Sequence, residues 1–186
     1  MSAFAIRSAI AADSRVIAEI HYAGWQVAYA HVVSAEQMAA KLPERRIPFW
    51  QARIADPNAI VLIAEDKAGR AQGFVHAGDV LDHDIRAGSL AGFDAEIYSL
   101  HCRKDVQGRG LGRLLMAATA RAFESRARNA LMLWAYRDNA YRRFYEKIGG
   151  AVIAEGFDDD IPDVAYGWPL PKLMTLGAGE RSMEKA

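Results

Sequence analysis

The chain holds 186 residues, of which 52% are hydrophobic and 25% charged. That length fits one domain with a short tail, and that composition supplies a sizeable core and excludes disorder over most of the chain. Lysine plus arginine number 23, as do aspartate plus glutamate, so net charge gives no pull toward nucleic acid or membranes, and the single cysteine, Cys102, excludes a disulfide-stapled scaffold. No apolar run is long enough to span a bilayer. The opening MSAFAIRSAIAADSR breaks its apolar residues with Arg7 and Asp13, unlike a secretory signal, so a cytoplasmic location is expected.

In chain order, residues 3–7 read as a short strand. Asp13 stands as the N-cap of a helix carrying Val16, Ile17, Ile20 and Trp25. Ser34 can cap a second helix, interrupted by Pro43 and Pro48 and ending near Asp56-Pro57. Residues 60–65 form a β-branched apolar run that meets residues 72–78 across a turn containing Gly69, which predicts a hairpin. Residues 79–94 read as a long loop, and residues 95–102 as another strand. Leu111, Leu114, Leu115, Ala118 and Ala122 recur at helical spacing, which predicts a helix to about residue 126. A strand follows at 130–135. Asp138 then caps a helix with Tyr141, Phe144, Tyr145 and Ile148 on its apolar stripe, stopped by Gly149-Gly150. Two last strands, at 152–157 and 164–168, flank an acidic loop bearing Asp158, Asp159, Asp160 and Asp163. The order is α+β rather than strictly alternating. One domain is expected over residues 1–170, with a disordered tail over 171–186.

Charge is segregated along this neutral chain. Residues 103–147 hold 11 basic against 4 acidic side chains, leaving 12 against 19 elsewhere. That fits an anionic ligand at one end and something cationic at the other, or Arg-rich helices with solvated faces. The centre of the basic segment is Gln107-Gly108-Arg109-Gly110-Leu111-Gly112, between a strand and an amphipathic helix. Glycines there let backbone N–H groups approach a ligand, and the helix start offers unpaired donors at the positive end of its dipole. Arg109 and Arg113 add charge to this pyrophosphate cradle. A dinucleotide fingerprint fails because Arg113 occupies the third glycine position, and a Walker A loop fails because no Gly-Lys-Ser/Thr follows.

Gln-x-x-Gly-x-Gly after such a strand is similar to the acetyl-CoA-binding motif of the GNAT (GCN5-related) N-acetyltransferase superfamily. The later segment Asn139-Ala140-Tyr141-Arg142-Arg143-Phe144-Tyr145-Glu146-Lys147 resembles that family's Asn…Phe-Tyr-Glu-Lys helix. Departures are small: Cys102 stands where Val or Ile is usual, Arg142 where a small residue is common, and Gly149-Gly150 replaces a frequent Gly-Phe. The resemblance implies a mixed, mostly antiparallel sheet with helices on both faces and splayed central strands. It implies acetyl transfer from acetyl-CoA, as cosubstrate, to a primary amine of a small molecule or a protein N-terminus. In that reading the backbones of Leu100 and Cys102 meet the thioester and pantetheine. The amides of Gln107, Gly108, Arg109, Gly110, Leu111, Gly112 and Arg113 hold the pyrophosphate, and Asn139 reaches the pantetheine arm.

The same resemblance places Glu96 as general base and Tyr145 as the acid near the sulfur. The residues themselves leave alternatives: a strand Glu is often an ion-pair partner, and an aromatic on an apolar stripe is often core. Trp25 and Tyr29, four apart on one helix face, wall the acceptor site in the implied fold or pack the core. His101 and Cys102, adjacent on a strand, face opposite sides and do not form a nucleophile pair. His76, His83 and His101 lack metal-ligand spacing, so no metal is expected. The acidic residues 158–163 suggest a cationic acceptor. A non-catalytic acyl-CoA-binding module and an Arg-rich nucleic-acid binder are the rival classes; neither nucleic acid nor membrane is an expected partner, and a homodimer is left open.

Overall fold

The computed structural model describes residues 3–81 and 90–177. Among them one sheet of seven strands has the order β1-β2-β3-β4-β5-β7-β6. The strands are β1 (Phe4–Ser8), β2 (Ile60–Asp66), β3 (Ala71–Gly78), β4 (Ala95–Cys102), β5 (Ala130–Tyr136), β6 (Ala151–Asp158) and β7 (Ile161–Pro169). The helices are α1 (Ser14–Ala28), α2 (Ala35–Ala39), α3 (Pro43–Ala55), α4 (Leu111–Glu124), α5 (Arg143–Lys147) and α6 (Leu170–Met174). No helix among the described residues is long and apolar enough to cross a membrane.

Every neighbouring pair of strands is antiparallel except β4–β5. That parallel register covers only Ala95↔Leu131, Glu96↔Met132 and Ile97↔Leu133, although β4 runs on to Cys102 and β5 to Tyr136. The strands therefore part beyond Ile97. A local cause is visible on the other side of β4, where His76 pairs with Ser99 but Ala77 pairs with Ile97. Tyr98 is thus an extra residue, and such a bulge bends and twists its strand.

Helices cover both faces. α1 and α3 bury Ile17, Ile20 and Trp50 against Ile63 and Phe74, while α4 and α6 bury Leu115, Phe123 and Leu173 against Val75, Ile97 and Leu131. Strand alternation then assigns the faces of β4. Ile97, and past the bulge Leu100 and Cys102, join the α4 side. Glu96 and His101 fall on the α1–α3 side.

The structure departs from the sequence reading at the small elements. Asp13 does not cap α1 with its side chain. Its carboxylate accepts the Ile10 N–H at 2.8 Å across a 3-10 turn and pairs with Arg7 at 2.7 Å. Ser34 does cap α2, in a reciprocal box with Gln37. Pro43 opens α3 instead of interrupting a helix, because a first-turn residue needs no N–H acceptor, and Pro48 lies inside that helix. The helix expected from Asp138 is a single turn beginning at Arg143. Asn139, not Asp138, organises its approach by accepting the Tyr141 N–H at 2.8 Å. The acidic loop is a two-residue turn: Asp158 ends β6, and Asp163 is a buried residue of β7. Past residue 170 the chain continues as α6, with Leu170 and Leu173 buried in the core beside α4, so packing extends into the segment expected to be a disordered tail. The expected loop at 79–94 falls partly, at 82–89 and including His83, outside the described residues.

Candidate active site

The gap between β4 and β5 opens into a cleft of about 1220 Å³. Its walls are β4, the start of α4, the β5 end, α1 and the α2–α3 segment. One arm is made of backbone. The Arg103 N–H donates to the Gln72 carbonyl on β3 at 2.8 Å. Antiparallel strands alternate the direction of their hydrogen bonds, so Leu100 and Cys102 turn their N–H and C=O groups away from β3 and toward the gap. Consistent with this, the Cys102 carbonyl accepts a long bond, 3.4 Å, from the Gln107 side chain.

Beyond β4 the chain makes a 3-10 turn and reaches Gly108 and Gly110, at φ +77° and +80°. This left-handed backbone suits glycine and turns successive amides to one side. Gly110 is the N-cap of α4 and supplies no side-chain cap. The amides of Leu111, Gly112 and Arg113 in the first turn therefore have no acceptor among the described residues. A Cβ at Gly108 would enter open space, and Arg109 and Arg113 are exposed beside it. Unpaired amides, a helix N-terminus and two arginines fit a pyrophosphate.

Between the arms lie the two proposed proton carriers. Glu96 is 4% exposed, and its Oε2 accepts the Leu81 N–H at 3.2 Å. Tyr145 lines the same cleft from α5. Its ring packs on Tyr166 at 5.7 Å and Trp168 at 6.2 Å, while its hydroxyl has no hydrogen-bond partner among the described residues. Burial, reinforced by Tyr29 and Cys102, holds the Tyr145 phenol well above its ordinary range, so the O–H stays protonated. Burial also pushes the Cys102 thiol up to about 12, which makes it a neutral buried group and not a nucleophile.

The other arm is made of side chains. Trp25 and Tyr29 reach the cleft together, with ring centres 4.9 Å apart, and both pack on Tyr136 of β5. Tyr29 is tied across the chain to Asn139, whose amide donates to its hydroxyl at 2.9 Å. Both ends of the Asn139 amide are thus engaged by the protein, so this residue braces the cleft wall as well as lining it. Lys41 and Arg46 close this arm, and His21, His76 and His101 lie beneath it. Burial pushes His76 and His101 down to about 4, leaving both imidazoles neutral near pH 7. No cluster of three or more metal-ligating side chains occurs among the described residues.

Tyr136, Lys41 and Arg46 were not anticipated from the sequence. One signal was available: Gly24 interrupts α1, and a Cβ there would lie 2.2 Å from Nδ1 of His101. An isolated glycine inside a helix often marks such a close approach.

Comparison with known proteins agrees with this geometry. Residues 79–157 match the family described as FR47-like protein. YuaI of Bacillus subtilis (strain 168), an N-acetyltransferase by name, is 24% identical over 176 residues, spanning 92% of this chain and 96% of the relative. The chain is similar in sequence to these proteins and has the GNAT fold. Among solved GNAT-fold structures, the PaiA N-acetyltransferase of Thermoplasma acidophilum in complex with coenzyme A superposes with a TM-score of 0.68. It is 18% identical, and the match covers 90% of this chain and all of that one (100%). The spermidine N-acetyltransferase of Vibrio cholerae, in complex with CoA and spermine, gives 0.65 at 15% identity, covering 92% and 98%. The GNAT fold accounts for the observed sheet order, with the gap after Ile97 at the centre of the sheet.

Proposed function

We propose that this GNAT-fold protein transfers an acetyl group from acetyl-CoA directly to a primary amine within a ternary complex. The observation that carries the reading is the β4–β5 gap ending on the uncapped, glycine-rich start of α4. An extended pantetheine arm fits the free edge of β4, and a pyrophosphate fits the unpaired amides of Leu111, Gly112 and Arg113, while those of Gln107 and Arg109, also expected to hold it, donate to the Lys104 and Val106 carbonyls. Acetyl-CoA supplies the activated acyl group as a thioester.

The protein's own groups then have distinct tasks. The amide of Leu100, aimed into the gap, polarises the carbonyl and stabilises charge that develops on its oxygen. Glu96 takes the proton from the ammonium, directly or through water, which frees the nitrogen lone pair to form the N–C bond. Tyr145 gives its phenolic proton to the sulfur as the C–S bond breaks. Trp25, Tyr29 and Tyr136 exclude water from the acceptor, and Asn139 holds Tyr29 in place. The acceptor is a small amine or a protein N-terminus.

The test is release of free thiol from acetyl-CoA across a panel of amines. Amine-dependent release that disappears in the Glu96→Gln, Tyr145→Phe double variant supports the assignment. Tight acetyl-CoA binding with no amine-dependent release by the wild type makes the protein an acyl-CoA-binding module instead.

A further inference from the structure

Lys41 and Arg46 are two half-buried cations at one end of the cleft, and neither forms an ion pair among the described residues. They differ in this from Arg7, Arg53, Arg70, Arg128 and Arg137, each of which meets a carboxylate within 3.6 Å. Arg53 lies on the same helix as Arg46 and has Asp56 to itself. Arg46 instead lays its guanidinium 3.6 Å from the Phe49 ring centre, with Trp50 at 5.8 Å. Its Nε is buried with no hydrogen-bond partner among the described residues. The Lys41 ammonium sits 4.0 Å over Trp25. Asp158 favours the Lys41 charge through space without forming an ion pair with it, and its Oδ2 accepts the Tyr136 hydroxyl at 2.6 Å.

Burial lowers the pKa of both groups, and Arg46 lowers that of Lys41 further. Holding two mutually repelling cations partly out of water with no ion-pair partner is costly, and a ligand anion offsets that cost. The imidazoles beneath them are neutral and add no charge. On the same face of the sheet, Glu96 presents the opposite sign from the β4 strand. One arm of the cleft therefore carries both a cation pair and a carboxylate, which is the pattern a zwitterion fits.

We infer that Lys41 and Arg46 form an anion-binding subsite, and that the acceptor is a zwitterionic amine of the α-amino-acid type. Its anionic group lies at Arg46 and Lys41 and its amine at Glu96. This rests on the acetyltransferase reading and names its substrate class. Of the acidic residues that suggested a cationic acceptor, Asp158 and Asp163 line the cleft with Glu96 and are available to the ammonium end, while Asp159 and Asp160 are exposed in the hairpin turn.

The experiment pairs acceptors that differ only in the anion: L-α-amino acids, their carboxamides and the amines left by decarboxylation, with spermidine as a polycation. Thiol release is measured for wild type and Arg46→Met. At least one amino acid should exceed its carboxamide in kcat/KM by about 10–100-fold, the worth of a charge-assisted contact. Arg46→Met should erase that preference through KM while acetyl-CoA affinity, read by calorimetry, stays unchanged. Equal use of carboxamides, a preference for spermidine, or loss of acetyl-CoA affinity in Arg46→Met each overturns the subsite. Should no amine be acetylated, the acetyltransferase reading fails on its own. The subsite is then judged by calorimetric titration of the CoA complex with the amino acids. Heat that Arg46→Met abolishes supports it, and no heat with the wild type overturns it.

Discussion

The two arms of the cleft are held in shape by different physics. At the α4 end the donors are main-chain amides, fixed by a strand edge, two left-handed glycines and a helix start. Their orientation follows from backbone geometry alone, and the exposed Arg109 and Arg113 only add field. At the α1–α3 end the donors and walls are side chains from α1, α2–α3, β4 and β5, and each depends on its neighbours for position. Tyr29 leans on Asn139, His101 on the gap left by Gly24, and Arg46 on Phe49. A backbone cradle tolerates most side-chain change but not a changed dihedral. A side-chain arm tolerates backbone adjustment but not loss of one member.

That contrast orders the expected effects. The largest should come from Gly110→Val, which puts a branched side chain at φ +80° where amides must meet a pyrophosphate. Acetyl-CoA binding should vanish in calorimetry while circular dichroism shows a folded protein. A folded variant with normal affinity would remove the cradle from this turn. Next is Tyr145→Phe, which keeps the packing on Tyr166 and Trp168 and deletes a hydroxyl that has no partner among the described residues. Single-turnover kcat should fall by about 10²–10⁴-fold, at the low end if the thiolate leaves readily. Acetyl-CoA affinity and the thermal midpoint should hold. An unchanged kcat would make Tyr145 a packing residue. Glu96→Gln should also lower kcat and flatten its rise toward basic pH; a retained rise would leave Glu96 a structural acceptor for Leu81.

The side-chain arm should also set the acid stability. His76 and His101 fall to about 4 in the folded protein from an ordinary 6.5, because burial disfavours their charged forms. The unfolded chain therefore binds more protons between those values, so stability is full above about pH 6.5 and is lost as pH falls toward 4. Each imidazole contributes a slope of up to about 1.4 kcal/mol per pH unit. Urea midpoints between pH 7.5 and 4.5 should show this slope, reduced in His76→Gln. An identical slope in the variant would assign the acid sensitivity to other groups. The smallest effect is Tyr29→Phe, which breaks one hydrogen bond to Asn139 and should cost about 1 kcal/mol. Its acceptor KM should rise while its acetyl-CoA affinity stays level; the reverse pattern would place Tyr29 on the backbone arm.

Much of the backbone arm was legible in the chain itself. The strand at Ala95–Cys102, the glycines and the helix start lie within 20 residues of one another, so local periodicity and turn chemistry locate them. The same locality explains the misplaced helix at Asp138: apolar spacing over Tyr141–Ile148 promised several turns, but Asn139 drew the chain into a turn first. The segment after residue 170 looked too polar to pack, yet Leu170 and Leu173 find the surface of α4. That surface is not visible from their own neighbourhood.

By itself the sequence determined the order of the strands and the glycine-rich turn before α4, since each is written in residues adjacent in the chain, whereas Glu96 and Tyr145 were singled out by the family resemblance. Only the tertiary structure decided where β4 and β5 separate, because a register is shared between strands and a bulge in one is felt by the other. Only it brought Lys41 and Arg46 to one end of the cleft with no ion pair to either among the described residues. Charge, burial and counterions are properties of what surrounds a residue. In this protein the rings nearest Arg46, Phe49 and Trp50, share its helix, while Glu96 and the imidazoles of the same cleft come from α1, β3 and β4, far from it in sequence.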